Sequence, residues 1–267
     1  MKNPDKMCSI ICSIVIYKNP LHELKETIHC LLATDLNIKI ILVDNSPTNI
    51  YKDIVYDERI EYIFNSKNVG FGAAHNIAIK QSIQLNSTYH LVINPDISFI
   101  KGTLESILLF MEQNKEIGHL MPKIVYPNGK PQYLCKRKPT VLDLFLRGFI
   151  PQKYHSLFRS RMNKFEFKDL DLNDIIYNVP FLSGCFMFLK TEILKQSGLF
   201  DEKYFMYLED ADLTRRMLEF CHNSYYPHAE VTHIYSGLTH KHLKYKLITI
   251  RSAIYYFSKW GWIKNIL

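Results

Sequence analysis

Residues 89–96 read YHLVINPD, and they decide the fold class of this chain. The first five form a short apolar run typical of a buried strand, and Asn94-Pro95-Asp96 is a turn sequence that ends it. Three other segments have the same form, an apolar run and then polar residues: 12–17, 39–43 and 60–64. Polar side chains therefore follow each predicted strand directly, and Asp44-Asn45 is the clearest example.

Helical periodicity fills the gaps between these predicted strands. Apolar residues recur at helical spacing after Asn19-Pro20, with the proline at the first helical position, and again over residues 73–84 and 103–114. Strands and helices that alternate in this way form right-handed crossovers and a mostly parallel sheet. We therefore predict an α/β fold with helices on both faces of the sheet. Ligands of such sheets bind outside the carboxyl ends of the strands, where the polar residues collect.

The second half of the chain is less regular. The strands predicted there cover residues 179–190 and 225–235, and a flexible segment or lid is predicted over residues 151–174. The helices predicted there cover residues 191–196, 209–220 and 242–260. The resulting division is a domain over residues 1–239, with a nucleotide-binding half (1–116) and an acceptor and catalytic half (117–239), and a helical appendage over residues 240–267.

The composition narrows the classes of partner and compartment. The chain has 267 residues, with 33 Lys and Arg against 26 Asp and Glu, and its net charge of +7 suits an anionic partner such as a phosphate-bearing substrate. Its six cysteines form no Cys-x-x-Cys pair, which favours reduced thiols and a cytoplasmic location. We find neither a secretory signal nor an apolar run of ~18 residues, so no membrane-spanning helix is predicted.

Four motifs carry residues suited to catalysis, and each has a structural alternative. Asp96 follows a strand and suits a divalent cation that also holds a diphosphate, although Asn-Pro is also a turn dipeptide. Glu209-Asp210-Ala211-Asp212 starts a predicted helix, where the acids fit either the helix dipole or a general base. His233 lies on the opposite strand face from His228 and is either a ligand or a structural histidine. Gly70-Phe71-Gly72 opens a helix and either packs it closely or approaches a ligand.

In their order and placement these motifs resemble glycosyltransferase family 2 with the Rossmann-like GT-A fold. Within it they are most similar to the rhamnosyltransferase-like enzymes of bacterial surface polysaccharide synthesis. The resemblance spans residues 12–237 and rests on these segments: Ser13-Ile14-Val15-Ile16-Tyr17, Val43-Asp44-Asn45-Ser46, Asn68-Val69-Gly70-Phe71-Gly72-Ala73-Ala74-His75-Asn76, Asn94-Pro95-Asp96, Ser183-Gly184, and Gly198-Leu199-Phe200-Asp201-Glu202 leading into Glu209-Asp210-Ala211-Asp212-Leu213.

The resemblance implies roles for the matching residues. Tyr17 and Asp44 would contact the nucleotide base, and the other positions that would bind the nucleotide sugar are Asn45, Asn68, Gly72, Asn76 and Asn94. Asp96 and His233 would bind Mg²⁺ or Mn²⁺ on the diphosphate. Asp210 would be the catalytic base, with Glu209 and Asp212 positioning the acceptor or the base. The chain departs from the family at residue 94, because Asn94 stands where the family's Asp-x-Asp motif has its first aspartate.

The implied reaction is inverting transfer of a sugar from a nucleotide diphosphate donor to a saccharide or polyprenyl-diphosphate-linked saccharide. In this subgroup the donor would be dTDP-rhamnose and the product an O-antigen or capsule. The alternatives are a UDP-hexose-dependent transferase, a nucleotidyltransferase and an inactive partner subunit. We expect no nucleic-acid partner, because no nucleic-acid-binding motif is found and the acids at residues 209–212 would repel phosphate.

The predicted C-terminal helix is basic and amphipathic. Its apolar stripe consists of Leu243, Leu247, Ile250, Ile254 and Phe257. Its interleaved basic residues are Lys244, Lys246, Arg251 and Lys259. Such a helix suits peripheral contact with an anionic membrane, here the inner face of the cytoplasmic membrane, and packing on the catalytic domain is the alternative.

Overall fold

The computed structural model describes residues 9–150, 152–234 and 243–262. Within these ranges the strands are β1 (Ser9–Ile16), β2 (Asn37–Asp44), β3 (Ile60–Phe64), β4 (Tyr89–Ile93), β5 (Ile97–Ser98), β6 (Ile117–Val125), β7 (Cys135–Lys136), β8 (Phe181–Leu182), β9 (Phe186–Lys190) and β10 (His222–His233). The helices are α1 (Leu21–Leu32), α2 (Phe71–Gln84), α3 (Thr103–Gln113), α4 (Val141–Phe149), α5 (Arg159–Phe165), α6 (Thr191–Ser197), α7 (Glu209–Met217) and α8 (Leu243–Trp260). Short 3₁₀ helices cover Lys52–Ile54 and Gln152–Phe158.

One large sheet organises these elements in the order β3-β2-β1-β4-β9-β6-β10-β5. The first four strands run parallel to one another, as do β6 and β10, whereas β9 and β5 run antiparallel to their neighbours. In the parallel register Ile16 lies beside Asp44, and Ile14 lies beside Ile93. The carboxyl ends of β1, β2 and β4 therefore meet at one edge. The predicted α/β fold with a mostly parallel sheet is confirmed.

Helices cover both faces of this sheet, as predicted. Successive side chains of a strand point to opposite faces, and β4 illustrates the result. Leu91 packs in the cluster that contains Leu24 of α1 and Ile107 of α3. Its neighbour Val92 packs in the cluster that contains Leu213 of α7, together with residues of α2 and α6. Each such buried side chain contributes about 1.5–3 kcal/mol, so the helices are held on the sheet from both sides.

The single strand predicted over residues 179–190 is wrong, because the structure has two strands there, β8 and β9. Between them lie residues 183–185: β8 pairs with β7 in a separate two-stranded sheet, whereas β9 belongs to the large sheet. The carbonyl of Cys185 accepts from the N–H of Asn94 at 2.9 Å, which continues the register in which Ile93 pairs with Phe186. The N–H of Gly184 instead donates to a side chain, Asp210 Oδ2, at 2.9 Å, so this backbone group is satisfied outside a strand pair. An apolar run in the sequence does not reveal where such pairing stops.

The segment predicted to be flexible or a lid, residues 151–174, contains a 3₁₀ helix and α5 in its described part, and α4 precedes it. A capping box starts α4: Thr140 Oγ1 accepts from the N–H of Asp143 at 3.1 Å, and Asp143 Oδ2 accepts from the N–H of Thr140 at 3.2 Å. Arg161 of α5 donates to Asp143 Oδ1 at 2.7 Å. Thr140 and Asp143 stand at capping-box spacing in the sequence, so this helix start could have been predicted.

The remaining predicted strands and helices agree with the structure to within three residues at each end. Pro20 is a small exception, because it precedes α1 with an extended ψ of 128° instead of occupying the first helical position. The cysteines in the described ranges are free thiols, and no helix there is long and apolar enough to cross a membrane. Several positions that belong to the predictions above lie outside the described residues: Cys8 among the six cysteines, residue 151 of the predicted flexible segment, residues 235–237, the boundary at residues 239–240, and residues 240–242 and 263–267 of the appendage.

Buried histidines connect the sheet to α2. Ser13 Oγ lies 2.6 Å from His75 Nδ1 and 2.9 Å from His90 Nε2, and Ser82 Oγ lies 2.6 Å from His90 Nδ1. Burial lowers the pKa of His90 to about 3 and also lowers the pKa of His75. Both rings are therefore neutral at pH 7. His75, within the glycine-rich segment, thus contributes to packing.

We expect the His119→Leu variant to lose less free energy of unfolding than the wild type when the pH is lowered. His119 is buried in β6, neither ring nitrogen has a hydrogen-bond partner in the described chain, and burial lowers its pKa to about 3. An unfolded histidine has a pKa of about 6.5, so between these values only the unfolded state takes up the proton. Stability therefore falls as the pH drops below about 6.5, by about 1.4 kcal/mol per pH unit.

Urea unfolding at pH 7 and pH 5 measures this effect. The variant should lose about 2 kcal/mol less free energy of unfolding between the two pH values than the wild type. His29→Leu changes an exposed histidine of α1 and serves as the control. An identical pH dependence in both variants would contradict the prediction.

Candidate active site

The carboxyl ends of β1 and β2 form a rigid polar edge. Asp44 is fully buried; its Oδ1 accepts from the N–H of Ser46 at 2.8 Å, and its Oδ2 accepts from the Tyr62 hydroxyl at 2.6 Å. Burial, together with this hydrogen bond, raises the pKa of Tyr62, so the hydroxyl keeps its proton. Tyr17, the residue after β1, is 40% exposed. Because each oxygen of Asp44 has a second lone pair, this fixed carboxylate retains capacity for another donor.

Asn45 connects this edge to the glycine-rich segment. Its Nδ2 donates to Asn68 Oδ1 at 3.3 Å and to the carbonyl of Gly70 at 3.2 Å. Asn68 Oδ1 also accepts from the N–H of Gly70 at 2.9 Å. Gly70 has a φ of +98°, and a Cβ at this position would collide with the carbonyl oxygen of Phe205. Glycine is therefore required here on both counts. The segment contacts the loop before α7 at this point.

Gly72 and Asn76, two of the predicted nucleotide contacts, pack against the protein. Asn76 is buried; its Nδ2 donates to the carbonyl of Phe200 at 2.9 Å, and its Oδ1 accepts from the N–H of Phe200 at 3.0 Å. A Cβ at Gly72 would lie 2.7 Å from the Cβ of Phe200. Both residues thus fix α2 to the segment that follows α6. These contacts differ from the nucleotide contact that the resemblance implied, because the amide of Asn76 is already hydrogen bonded to the backbone.

Asp96 and His233 approach each other after β4 and at the end of β10. In the described part of the chain Asp96 Oδ1 is buried without a hydrogen bond, and it lies 3.4 Å from His233 Nε2. His233 Nδ1 lies 2.9 Å from Gln132 Oε1. An amide oxygen only accepts, so Nδ1 carries a proton, and Nε2 is the ring nitrogen that faces Asp96. Gln132 is held in this orientation because its Nε2 donates to the carbonyl of His233 at 2.8 Å.

This pair fits a divalent cation. Asp96 Oδ1 is a carboxylate oxygen, and Nε2 of a neutral His233 ring is an electron-pair donor, so a cation between them is a partner that both can bind. The contact from Gln132 to Nδ1 is the outer contact usual for a metal-bound histidine. No group of three His, Cys, Asp or Glu side chains is placed to hold a metal among the residues described. The other ligands would therefore be phosphate oxygens of a substrate and water, as is common for Mg²⁺. Asn94 Nδ2 lies 3.5 Å from His233 Nε2, at the border of this pair.

Asp210 reaches the same edge through residues 183–185. Its Oδ2 accepts from the N–H of Gly184 at 2.9 Å. The carbonyl of the following residue, Cys185, accepts from the N–H of Asn94 at 2.9 Å. A Cβ at Gly184 would lie 3.1 Å from the Phe71 ring. One turn thus contacts the start of α7, the glycine-rich segment and the end of β4.

Glu209 and Asp210 have different environments. Glu209 is buried, its Oε2 has no hydrogen-bond partner among the described residues, and burial with repulsion from Asp210 raises its pKa well above the usual value. Burial also raises the pKa of Asp210, but the N–H groups of Gly184 and Ala211 oppose this by donating to its two oxygens. The hydrogen bonds therefore favour the charge on Asp210 and the proton on Glu209. A carboxylate with a raised pKa is suited to act as a general base.

The backbone is strained where it enters α7. Tyr207 and Leu208 have φ values of 72° and 68°, in the left-handed region. Such residues cost about 1–3 kcal/mol each and persist only where the surroundings hold them. Leu208 is buried in a cluster with Tyr204 of the same loop and Tyr256 of α8. Strain of this kind concentrates at functional sites, and here it directly precedes Glu209 and Asp210.

Lys136 is a site residue that sequence reasoning missed. Antiparallel pairing of β7 with β8 sets it opposite Phe181, and its Nζ lies 4.7 Å from the centre of the Phe181 ring. Burial lowers its pKa to about 8, and the negative charge of Asp210 opposes that shift. A buried ammonium group near Asp210 in turn favours the ionised carboxylate. No motif marks this lysine, because pairing of two short strands positions it. Gln132 was missed for a similar reason.

Asp212 is fully buried and its carboxylate is fully engaged. It accepts from Arg216 Nε at 2.9 Å, from Trp260 Nε1 at 2.9 Å and from Lys259 Nζ at 2.8 Å. The residue thus ties α8 to α7. Of the two roles implied by the resemblance, this arrangement favours positioning of the base over contact with an acceptor.

Direct contacts link most of the predicted site residues into one region. Gly72, Asn76 and Asp212 pack elsewhere in the protein, and Tyr17 and Glu209 adjoin the region only through their neighbours in the sequence. From the end of β2, Asn45 contacts Asn68 and Gly70. Gly184 contacts Phe71, the neighbour of Gly70, and also Asp210. The residue after Gly184, Cys185, contacts Asn94, which contacts His233, and His233 contacts Asp96. Asp210 and the candidate cation site therefore lie at the edge of the sheet where the polar residues that follow β1 and β2 stand.

The sequence profile described as Glycosyl transferase family 2 matches residues 12–198, most of the chain. The match includes the polar edge, Asp96 and residues 183–185. The chain belongs to glycosyltransferase family 2. Asp210 and His233 lie beyond the matched range, and the contacts above connect them to it.

Curated relatives of this family 2 chain include two rhamnosyltransferases. It is 26% identical over 213 residues to the N-acetylglucosaminyl-diphospho-decaprenol L-rhamnosyltransferase of Mycobacterium tuberculosis H37Rv, which covers 76% of this chain and 68% of the relative. It is 27% identical over 206 residues to Rhamnosyltransferase WbbL of Escherichia coli K12, covering 73% of each. The resemblance to the rhamnosyltransferase-like subgroup is confirmed.

Solved structures show the same fold. A structure of GalNAc-T7 with UDP, GalNAc and Mn²⁺ is similar with a TM-score of 0.63 and 14% identity, covering 85% of this chain and 43% of that one. The 1–349 segment of S. aureus TarS is similar with a TM-score of 0.58 and 16% identity, covering 94% and 72%. This chain thus spans less than half of GalNAc-T7. The predicted GT-A fold is confirmed.

Proposed function

We propose that this glycosyltransferase moves rhamnose from dTDP-rhamnose, with inversion, to a saccharide or polyprenyl-diphosphate-linked saccharide during synthesis of a bacterial surface polysaccharide such as O-antigen or capsule. The similarity to two rhamnosyltransferases supports the donor sugar. The name of the M. tuberculosis relative includes a diphospho-decaprenol-linked sugar, which supports the acceptor class. The observation that carries the proposal is the hydrogen bond from Gly184 to Asp210, in the turn that also contacts Asn94.

The nucleoside would bind at the polar edge. Asp44 would accept from an N–H of the pyrimidine, since Ser46 and Tyr62 hold its carboxylate in place. The exposed Tyr17 would contact the same base, and Asn45 and Asn68 would complete the pocket. A pocket held by its own hydrogen bonds loses little freedom when a ligand binds, which favours affinity.

Asp210 would remove the proton from the acceptor hydroxyl as that oxygen attacks the sugar. The transition state resembles an oxocarbenium ion, and a base on the face opposite the leaving diphosphate gives inversion. The proton moves to Asp210, the ionised member of its pair with Glu209. The charge of Lys136 would keep Asp210 ionised before the reaction.

Asp96 and His233 would hold Mg²⁺ or Mn²⁺ on the donor diphosphate, with Asn94 beside them. When bound, the ion supplies charge stabilisation to the leaving diphosphate. Gln132 would orient His233 through the hydrogen bond at Nδ1. The Mn²⁺ named with the GalNAc-T7 structure supports a divalent ion for this fold.

A UDP-hexose is the second candidate donor, favoured by the fold shared with GalNAc-T7, whose structure contains UDP and GalNAc. The test is transfer from a panel of dTDP- and UDP-sugars, with and without Mn²⁺, to a synthetic prenyl-diphosphate-linked N-acetylglucosamine. We expect a rhamnosylated product of inverted configuration from dTDP-rhamnose. Turnover with UDP-hexoses alone would show that the donor is a UDP-hexose and not dTDP-rhamnose. Absence of turnover with every donor would favour an inactive partner subunit.

The outer face of α8 would contact the cytoplasmic membrane peripherally. Four of the five predicted stripe residues are exposed: Leu243 (73%), Leu247 (58%), Ile250 (36%) and Ile254 (52%). The fifth, Phe257, is buried against the domain. Lys244 and Arg251 are exposed beside the stripe. An apolar stripe with flanking cations suits an anionic bilayer surface.

We expect Leu247→Ser combined with Ile254→Ser to weaken binding to vesicles that contain phosphatidylglycerol. Burial of each side chain contributes about 1.5–3 kcal/mol, so the partition coefficient should fall at least about tenfold. Co-sedimentation measures it, with Leu109→Ser as the control, since Leu109 is 59% exposed on α3. Equal binding of the wild type, the double variant and the control would show that α8 is not the membrane contact surface.

A further inference from the structure

The inner face of α8 is bound to α7 through one buried carboxylate. Asp212 accepts from Trp260 Nε1 at 2.9 Å and from Lys259 Nζ at 2.8 Å, in addition to Arg216 of its own helix. Arg216 in turn donates to the carbonyl of Leu199 at 2.7 Å. Loss of any one donor would leave a buried charge under-solvated, so the carboxylate is held firmly in place.

The same helix holds the loop that leads into α7. Lys259 Nζ also donates to Asp201 Oδ2 at 2.9 Å, and the Tyr255 hydroxyl donates to the same oxygen at 2.8 Å. Further along, the Ser252 hydroxyl donates to the carbonyl of Met206 at 2.8 Å. The loop is therefore fixed to α8 at residue 201 and again at residue 206.

The residues between these contacts and Asp212 are the ones that matter for the chemistry. They are the two strained residues Tyr207 and Leu208, and then Glu209 and Asp210. Strained backbone relaxes unless its surroundings hold it. Here α8 holds both sides: Met206 before the strained pair and Asp212 after the acids. The Arg215 guanidinium also lies 4.1 Å from the centre of the Trp260 ring, which adds a cation–π contact between the helices.

We infer that α8 positions the catalytic base, with Lys259 and Trp260 as positioning residues for sugar transfer. The inference rests on the proposed function, in which Asp210 is that base. Neither residue needs to touch the substrate, because both act through Asp212 and the loop over residues 201–208. A displacement of a reacting group by about 1 Å lowers the rate by up to about 10²-fold, so the contacts of α8 matter to the rate as well as to stability.

Steady-state kinetics of the full chain test this inference. We expect Trp260→Phe, which keeps the ring and removes the N–H, and Lys259→Met each to lower kcat about 10- to 100-fold. The KM for the nucleotide sugar should change little, because the donor contacts at β1 and β2 do not involve α8. Lys259→Arg keeps a charged donor and should restore most of the activity. Ser258→Ala is the control, at an exposed position of the same helix that lies outside both the apolar stripe and its basic residues.

Hydrogen exchange measured by mass spectrometry adds a readout that needs no turnover. In Trp260→Phe, peptides from residues 201–212 should exchange faster than in the wild type, while peptides from β1 to β4 stay unchanged. Wild-type kcat in both variants would overturn the inference, and so would faster exchange over the whole chain, which indicates a general loss of stability. If the wild type transfers no sugar, the proposed function fails. In that case the exchange data alone test the positioning role, and unchanged exchange at residues 201–212 in Trp260→Phe would contradict it.

Discussion

Asp210→Asn is expected to lower kcat for sugar transfer about 10²–10⁴-fold, the usual contribution of a general base. The amide has nearly the shape of the carboxylate and can still accept from the N–H of Gly184 or Ala211, so the turn over residues 183–185 should keep its position. One of the two N–H groups loses its acceptor and Lys136 loses a compensating charge, so the free energy of unfolding should fall, by about 1–3 kcal/mol. The expected result is therefore a well-folded chain that binds donor normally and transfers sugar poorly.

The measurement compares initial rates with urea unfolding for the same protein preparations. Glu219→Gln is the matched control, because it neutralises an exposed acid just past the end of α7. A kcat fall in both variants would indicate a general charge effect. Turnover of Asp210→Asn at the wild-type rate would exclude this residue as the base.

Asp96→Asn is expected to remove the additional stabilisation that Mn²⁺ confers on the nucleotide complex. The variant keeps the shape of the side chain but replaces the buried, unpaired Oδ1 that faces His233 Nε2. A neutral oxygen attracts a divalent cation less strongly than a carboxylate. Loss of several kcal/mol of charge stabilisation corresponds to a fall of about 10³-fold in the transfer rate.

Thermal unfolding with dTDP or UDP, with and without Mn²⁺, measures the binding part of this prediction. A ligand at 100 times its Kd stabilises a protein by about 2.7 kcal/mol, or about 5–10 °C for a chain of this size. The wild type should show this shift with Mn²⁺ and the variant should lose most of it. Asp174→Asn, at an exposed position, is the control. A full Mn²⁺-dependent shift in Asp96→Asn would disprove the assignment of Asp96.

Local pattern was enough to predict most of the strands and helices of residues 1–116. The strands β3 and β4 begin and end where their apolar runs do, and the parallel register then brings Asp44 and the end of β4 to one edge. Asp96 and Asp210 were singled out from residue type and placement at the ends of elements. Their connection through Gly184 and Cys185 was not predicted, because the apolar run over residues 179–190 hides the break between β8 and β9.

Other site features depend on contacts that no short window of sequence contains. Gln132 sets the proton of His233 across 101 positions of the chain, and Trp260 reaches Asp212 across 48. Lys136 comes near Asp210 only because β7 pairs with β8. Asn76 looked like a nucleotide ligand in the sequence, but its amide is hydrogen bonded to Phe200.

The sequence by itself determined most of the strands, the main helices on both sides of the sheet and the acids at the ends of elements, since apolar periodicity and turn chemistry act over a few neighbouring residues. Only the tertiary structure decided which acid has two N–H donors, which histidine nitrogen faces Asp96 and which helix holds the loop before Asp210. Those properties depend on burial and on partners that are distant along the chain and meet only when the sheet and α8 have packed.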